Sequence, residues 1–110
     1  MTSSQFVRAV VKDADFHEGV LKAPVPVLVV FRASWNGPCK QLAPVVEKIA
    51  EDFRTEVRVV SVDIDDCPET SHRYGVRSVP MAVAFEQGQK TGSHTGLTNR
   101  ETLLRLMGLG

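Results

Sequence analysis

The chain has 110 residues, with 13 Lys+Arg balancing 13 Asp+Glu, so its formal net charge is zero. That length predicts one domain over residues 1–110, and 43% hydrophobic against 24% charged residues matches a soluble globular protein and excludes a disordered one. Balanced charge removes the basic footprint of a general nucleic-acid binder and the attraction to an anionic membrane surface.

The longest apolar run, residues 25–31, is broken by Pro26 and is far too short to span a bilayer. The first five residues carry no basic segment followed by an apolar stretch, so no signal peptide and a cytoplasmic location are expected. Two cysteines, Cys39 and Cys67, make no disulfide scaffold.

Residues 5–11 read as a short first strand. Asp13 is placed to cap a helix reaching about Lys22, with Phe16, Val20 and Leu21 inward and Gly19 weakening it. The β-branched run 25–31 reads as a central strand covered on both faces. A turn at 33–38 leads into a helix over 38–53, with Leu42, Val45, Val46, Ile49, Ala50 and Phe53 at helical spacing. Pro38 suits its first turn, and Pro44 should kink it. Residues 57–64 form a third strand, 68–74 a short helix stopped at Gly75, and 81–86 and 89–95 two strands joined through Gln87-Gly88. Thr98-Asn99 caps a last helix through Met107. The order β-α-β-α-β-α-β-β-α implies a three-layer α/β/α sandwich with a mixed central sheet.

Between the central strand and the kinked helix stands Trp35-Asn36-Gly37-Pro38-Cys39-Lys40. With this segment the chain resembles the thioredoxin family, whose motif there is Trp-Cys-Gly-Pro-Cys-Lys. The resemblance extends through residues 27–33, Ala43-Pro44, Val62-Asp63-Ile64-Asp65, the segment 74–80 ending in Val79-Pro80, and Phe85, Gly88 and Gly96, so it covers roughly the whole chain. It implies the thioredoxin fold, a protein-disulfide reductase activity in cell redox homeostasis, no cofactor and a monomer. It also implies a cis peptide bond at Val79-Pro80, and a substrate face made by Trp35, Gly37, Pro38, Val79, Pro80 and Gly96. Trp35 would give its indole N–H to Asp65.

The departures from the family fall on the reactive groups. Dithiol exchange needs an attacking thiol at the helix N-terminus and a resolving thiol one turn further in. By the resemblance, Asn36 holds the attacking position and only the resolving thiol, Cys39, remains. An amide cannot form a mixed disulfide. Val30 stands where the family usually has a buried Asp, Ser61 where a Lys often pairs with it, and Arg32 where a Trp often precedes the motif. Asn is a good N-cap residue, so Asn36 keeps the turn while removing the nucleophile.

Cys39 reads either as a shielded small hydrophobe or as a single reactive thiol beside a helix N-terminus and Lys40. Cys67 follows the third strand, near the same sheet edge, and a Cys39–Cys67 disulfide stays open as an alternative. His17, His72 and His94 are scattered, and Asp63, Asp65 and Asp66 lack the Gly and Glu of a calcium loop, so no metal is expected. Arg32, Lys40, Arg73 and Arg77 are candidates for a basic rim that would favour acidic partners.

Three functions follow. The favoured one is a thioredoxin-like protein without dithiol exchange that binds a protein or peptide at the motif face. The second is a single-thiol redox protein in which Cys39 forms a mixed disulfide or glutathione adduct. The third is a residual reductase acting on a disulfide-containing protein.

Overall fold

The β-branched run forms strand β2, Val27–Arg32, whose first five side chains are all buried. The structure is a computed structural model and describes residues 6–109. Gln5, expected to open the first strand, lies outside the described residues, and strand β1 spans Val7–Val10. Strand β3 (Arg58–Asp63), strand β4 (Met81–Glu86) and strand β5 (Gln89–Thr95) complete a five-stranded sheet of order β1-β3-β2-β4-β5. β1, β3 and β2 run parallel, and β4 and β5 add two antiparallel pairings. The sheet is therefore mixed, as the chain order requires.

Alternation along each strand sends neighbouring side chains to opposite faces, and each face builds its own core. Val29, Phe31, Val60, Val62 and Val83 pack with Phe16, Val20, Cys67 and Tyr74 on one side. Leu28, Val30, Val59 and Ala82 pack with Leu42, Val46, Ile49 and Leu103 on the other. The second layer belongs to helix α1, Gly37–Asp52, and helix α3, Arg100–Leu106. The first belongs to helix α2, Pro68–Arg73, and the segment before β2.

That segment departs from the regular helix expected over 13–22. It is a 3-10 turn at Asp13–Asp15 followed by a π-helical turn at His17–Leu21. Asp13 does not cap it. Its carboxylate instead accepts the N–H groups of Glu69 at 3.2 Å and Thr70 at 2.7 Å, orphan donors in the first turn of α2. A short helix gains more from having its orphan N–H groups satisfied than from any propensity of its own. The Thr70 side-chain hydroxyl foremost, and then these N–H groups, hold the carboxylate of Asp13 below its ordinary pKa against the opposing effect of burial.

The turn residues behave as their chemistry predicts. Gln87 and Gly88 both have positive φ, 53° and 78°, the combination that a tight two-residue hairpin needs. A Cβ on Gly88 would also stand 3.0 Å from the Leu21 carbonyl oxygen. Asn99 caps α3 by accepting the Thr102 N–H at 2.9 Å. Pro44 lies within α1, which continues through it, leaving the Lys40 carbonyl without its usual helical donor.

Candidate functional site

β2 ends at Arg32, and the chain turns through Ala33–Asn36 into α1. Asn36 is the N-cap: its backbone is extended, and its side-chain oxygen accepts the Cys39 N–H at 2.9 Å. Gly37 and Pro38 form the exposed first helical positions, where the missing N–H of proline costs no helical bond. The amide at residue 36 thus satisfies one of the donors that a helix start leaves open.

Trp35 projects from this turn and is 68% exposed. Its expected bond to Asp65 does not form. Among the described residues the indole N–H has no protein partner, and the Asp65 segment closes on itself, with the Asp65 N–H donating to the Asp63 carboxylate at 2.9 Å. At that exposure water satisfies the indole, so nothing compels a protein acceptor.

The register brings a second segment to the same end of the sheet. Phe31 of β2 lies opposite Met81, the first residue of β4, and Met81 lies opposite Thr95, the last residue of β5. Val79-Pro80 and Gly96 therefore sit beside the end of β2 and the turn that follows it. The Val79–Pro80 peptide bond is cis. The buried Pro80 accepts the Gly96 N–H on its carbonyl at 2.7 Å, and Gly96 has φ 101°, which only glycine adopts readily.

Cys39 is buried, with 8% exposure. Among the described residues its sulfur has no hydrogen-bond partner. It lines a cavity of about 440 Å³ together with Val30, Ser61, Leu42, Val46 and Glu47. Val30 and Ser61 are direct cross-strand neighbours, so both positions flagged in the sequence lie side by side under the thiol. Arg32 is at the rim, its guanidinium 3.5 Å from the Asp63 carboxylate. A half-exposed pair at that distance contributes at most about 1 kcal/mol. Lys40, Arg73 and Arg77 are exposed and make no ion pair among the described residues.

Cys67 belongs to the other face. It is fully buried in the core with Phe16 and Phe31, and its thiol donates to the Val10 carbonyl at 3.5 Å. Burial, reinforced by the negative charge of Asp13, Asp66, Asp63 and Asp15, pushes its pKa up to about 11. Both cysteines are free. The disulfide left open by the sequence is not formed, because the sheet itself separates the two sulfurs. No group of three His, Cys, Asp or Glu side chains able to hold a metal occurs among the described residues, and no helix among them is long and apolar enough to cross a membrane.

The comparisons with known proteins agree over nearly the whole chain. The sequence model of the thioredoxin family matches residues 7–108. Thioredoxin 1 of Synechococcus elongatus is 42% identical over 97 residues, covering 88% of this chain and 91% of that protein. A thioredoxin of Rickettsia bellii is 39% identical over 94 residues, covering 86% and 90%. The chloroplastic thioredoxin M4 of Arabidopsis thaliana is 42% identical over 91 residues, covering 83% of this chain and 47% of that longer protein. With its five-stranded mixed sheet and its motif turn at the head of α1, this chain belongs to the thioredoxin family of thiol–disulfide oxidoreductases.

Proposed function

We propose that this protein does not perform dithiol exchange and acts by binding an extended protein or peptide segment at the face made by Trp35, Gly37, Pro38, Val79, Pro80 and Gly96. The observation that carries this reading is Asn36: at the position of the attacking thiol stands an amide whose oxygen is committed to the Cys39 N–H. Dithiol exchange begins with a thiolate displacing one sulfur of the substrate disulfide. An amide nitrogen, with its lone pair delocalised into the carbonyl, makes no such bond.

Neither remaining thiol replaces it. Cys67 is sealed in the opposite core and holds its proton up to about pH 11. Cys39 is buried and lines an open, largely apolar pocket beside α1 rather than standing on the exposed turn.

The binding half of the reading rests on what the turn keeps. Trp35 offers a large exposed aromatic surface, of the kind that anchors interfaces. Val79 precedes the ladder of β4, and among the described residues its backbone groups have no hydrogen-bond partner. An extended segment can pair there as an added strand. We place the protein in the cytoplasm as a monomer.

The test is turnover of a protein disulfide by the purified chain with a dithiol reductant, beside Cys39→Ser. Equal rates for the two, both at background, are expected. A rate above background that disappears in Cys39→Ser replaces this reading with that of a single-thiol redox protein.

A further inference from the structure

Among the described residues, four of the thirteen basic side chains are held in ion pairs. Lys22 meets Glu18, Arg32 meets Asp63, Lys48 meets Glu51 and Asp52, and Arg100 meets Asp52. Of the unpaired basic side chains, Arg8, Arg54 and Arg58 are gathered at one place. Among the described residues none of them has a carboxylate partner, yet all three line one pocket of about 220 Å³.

Three separate elements bring them together. Arg8 comes from β1, Arg54 from the turn after α1, and Arg58 opens β3. Arg8 is the register partner of Val60, so Arg58, two residues earlier, falls on the same sheet face. One N–H of Arg54 donates to the Glu51 carbonyl at 3.0 Å and one of Arg58 to the Gly19 carbonyl at 2.9 Å. These bonds fix the two guanidinium groups while leaving most of their donors free. The remaining lining residues, Phe6, Val25, Ala50 and Val57, are all apolar. Burial and the neighbouring charge of Arg8 both lower the pKa of Arg58, so the cluster carries repulsion that a bound anion would relieve.

We propose that this pocket is a binding site for a small oxyanion of phosphate chemistry, held by Arg8, Arg54 and Arg58. Guanidinium groups present paired N–H donors that match the oxygens of phosphate, and a partly desolvated setting strengthens such bonds. The volume equals that of roughly seven waters, which accommodates a phosphate with a few further atoms. The pocket lies where β1 and β3 begin, at the opposite end of the sheet from the Asn36–Cys39 turn, so the proposal stands apart from the reading of that turn.

Inorganic phosphate and phenyl phosphate, each titrated at fixed ionic strength against chloride, distinguish a free oxyanion from a phosphomonoester. The arginine side-chain N–H resonances are the readout. Phosphate should produce saturable shifts at Arg8, Arg54 and Arg58, and chloride should not. Tighter binding of phenyl phosphate identifies a monoester as the preferred form; equal affinity identifies the free oxyanion. Arg8→Ala and Arg54→Ala, both changes of exposed side chains, should each weaken phosphate binding about tenfold without altering the fold. Shifts that never saturate and match those of chloride overturn the proposal, as does unchanged affinity in both variants.

Discussion

The Cys67 thiol should make the stability of this protein fall at alkaline pH in a way that Cys67→Ala abolishes. The side chain is fully buried, bonded to the Val10 carbonyl, and its pKa is pushed up to about 11 from an ordinary 9.0. Below pH 9 the thiol keeps its proton in both the folded and the unfolded chain. As pH rises through that value the unfolded chain releases the proton and the folded chain does not. The unfolded state then binds fewer protons, so the stability present below pH 9 is lost progressively up to about pH 11. At 1.36 kcal/mol per unit, the loss reaches about 2 kcal/mol by pH 10.5. Urea unfolding of the wild type and Cys67→Ala, each between pH 7.5 and 10.5, isolates this contribution, because the other titrating groups are common to both. The stability difference between the two should shift by that amount in favour of the variant. A difference that stays constant across the range refutes the buried, protonated thiol. Rapid alkylation of Cys67 in the folded protein does the same.

Five other substitutions test the site. Asn36→Ala should lower stability by about 1 kcal/mol in urea unfolding, since it removes the acceptor for the Cys39 N–H, whereas Asn36→Asp should retain most of it. Asn36→Cys should give disulfide turnover above background but well short of an intact dithiol protein; full family-like turnover would show that Val30 and Ser61 are immaterial. Val30→Asp should cost about 2–3 kcal/mol at neutral pH and less in acid, where the new carboxyl is protonated, because only 6% of Val30 is exposed. Trp35→Ala should leave urea stability within about 0.5 kcal/mol while weakening capture of a bound peptide, since the indole touches water and not the core.

The elements governed by local chemistry were legible in the sequence. Residues 81–86 and 89–95 become β4 and β5 with the expected ends, because a positive-φ pair fixes the turn between them. Asn36 and Asn99 cap their helices because an Asn oxygen reaches an N–H three residues ahead. What escaped depends on residues distant in the chain. Asp13 reads locally as the cap of its own segment, but α2, more than fifty residues away, presents N–H groups in better reach. Cys67 follows a strand end, which suggested the open edge of the sheet; its neighbours Val10, Phe16 and Phe31 are assembled only by the fold. The arginine pocket gave no sequence signal, since Arg8, Arg54 and Arg58 are dispersed in an electrically neutral chain.

In the proposed reading, the substitutions around the motif form one chemical set. Val30 and Ser61 are cross-strand partners, and together they leave an open, largely apolar cavity against the Cys39 sulfur. Resolving a mixed disulfide requires Cys39 to give up its proton as it attacks. Of the other titratable side chains lining that cavity, Arg32 cannot accept a proton. Glu47 lies eight residues further along α1, about 12 Å along the helix axis. Restoring a thiol at residue 36 therefore supplies the attacking group without the acceptor that the second step uses. The fold tolerates this because its stability derives from two apolar cores and from caps such as Asn36, not from the groups that exchange disulfides. Asn36 itself caps the helix start beside Trp35 and Pro38, so on the proposed reading the face can bind without a thiol at residue 36.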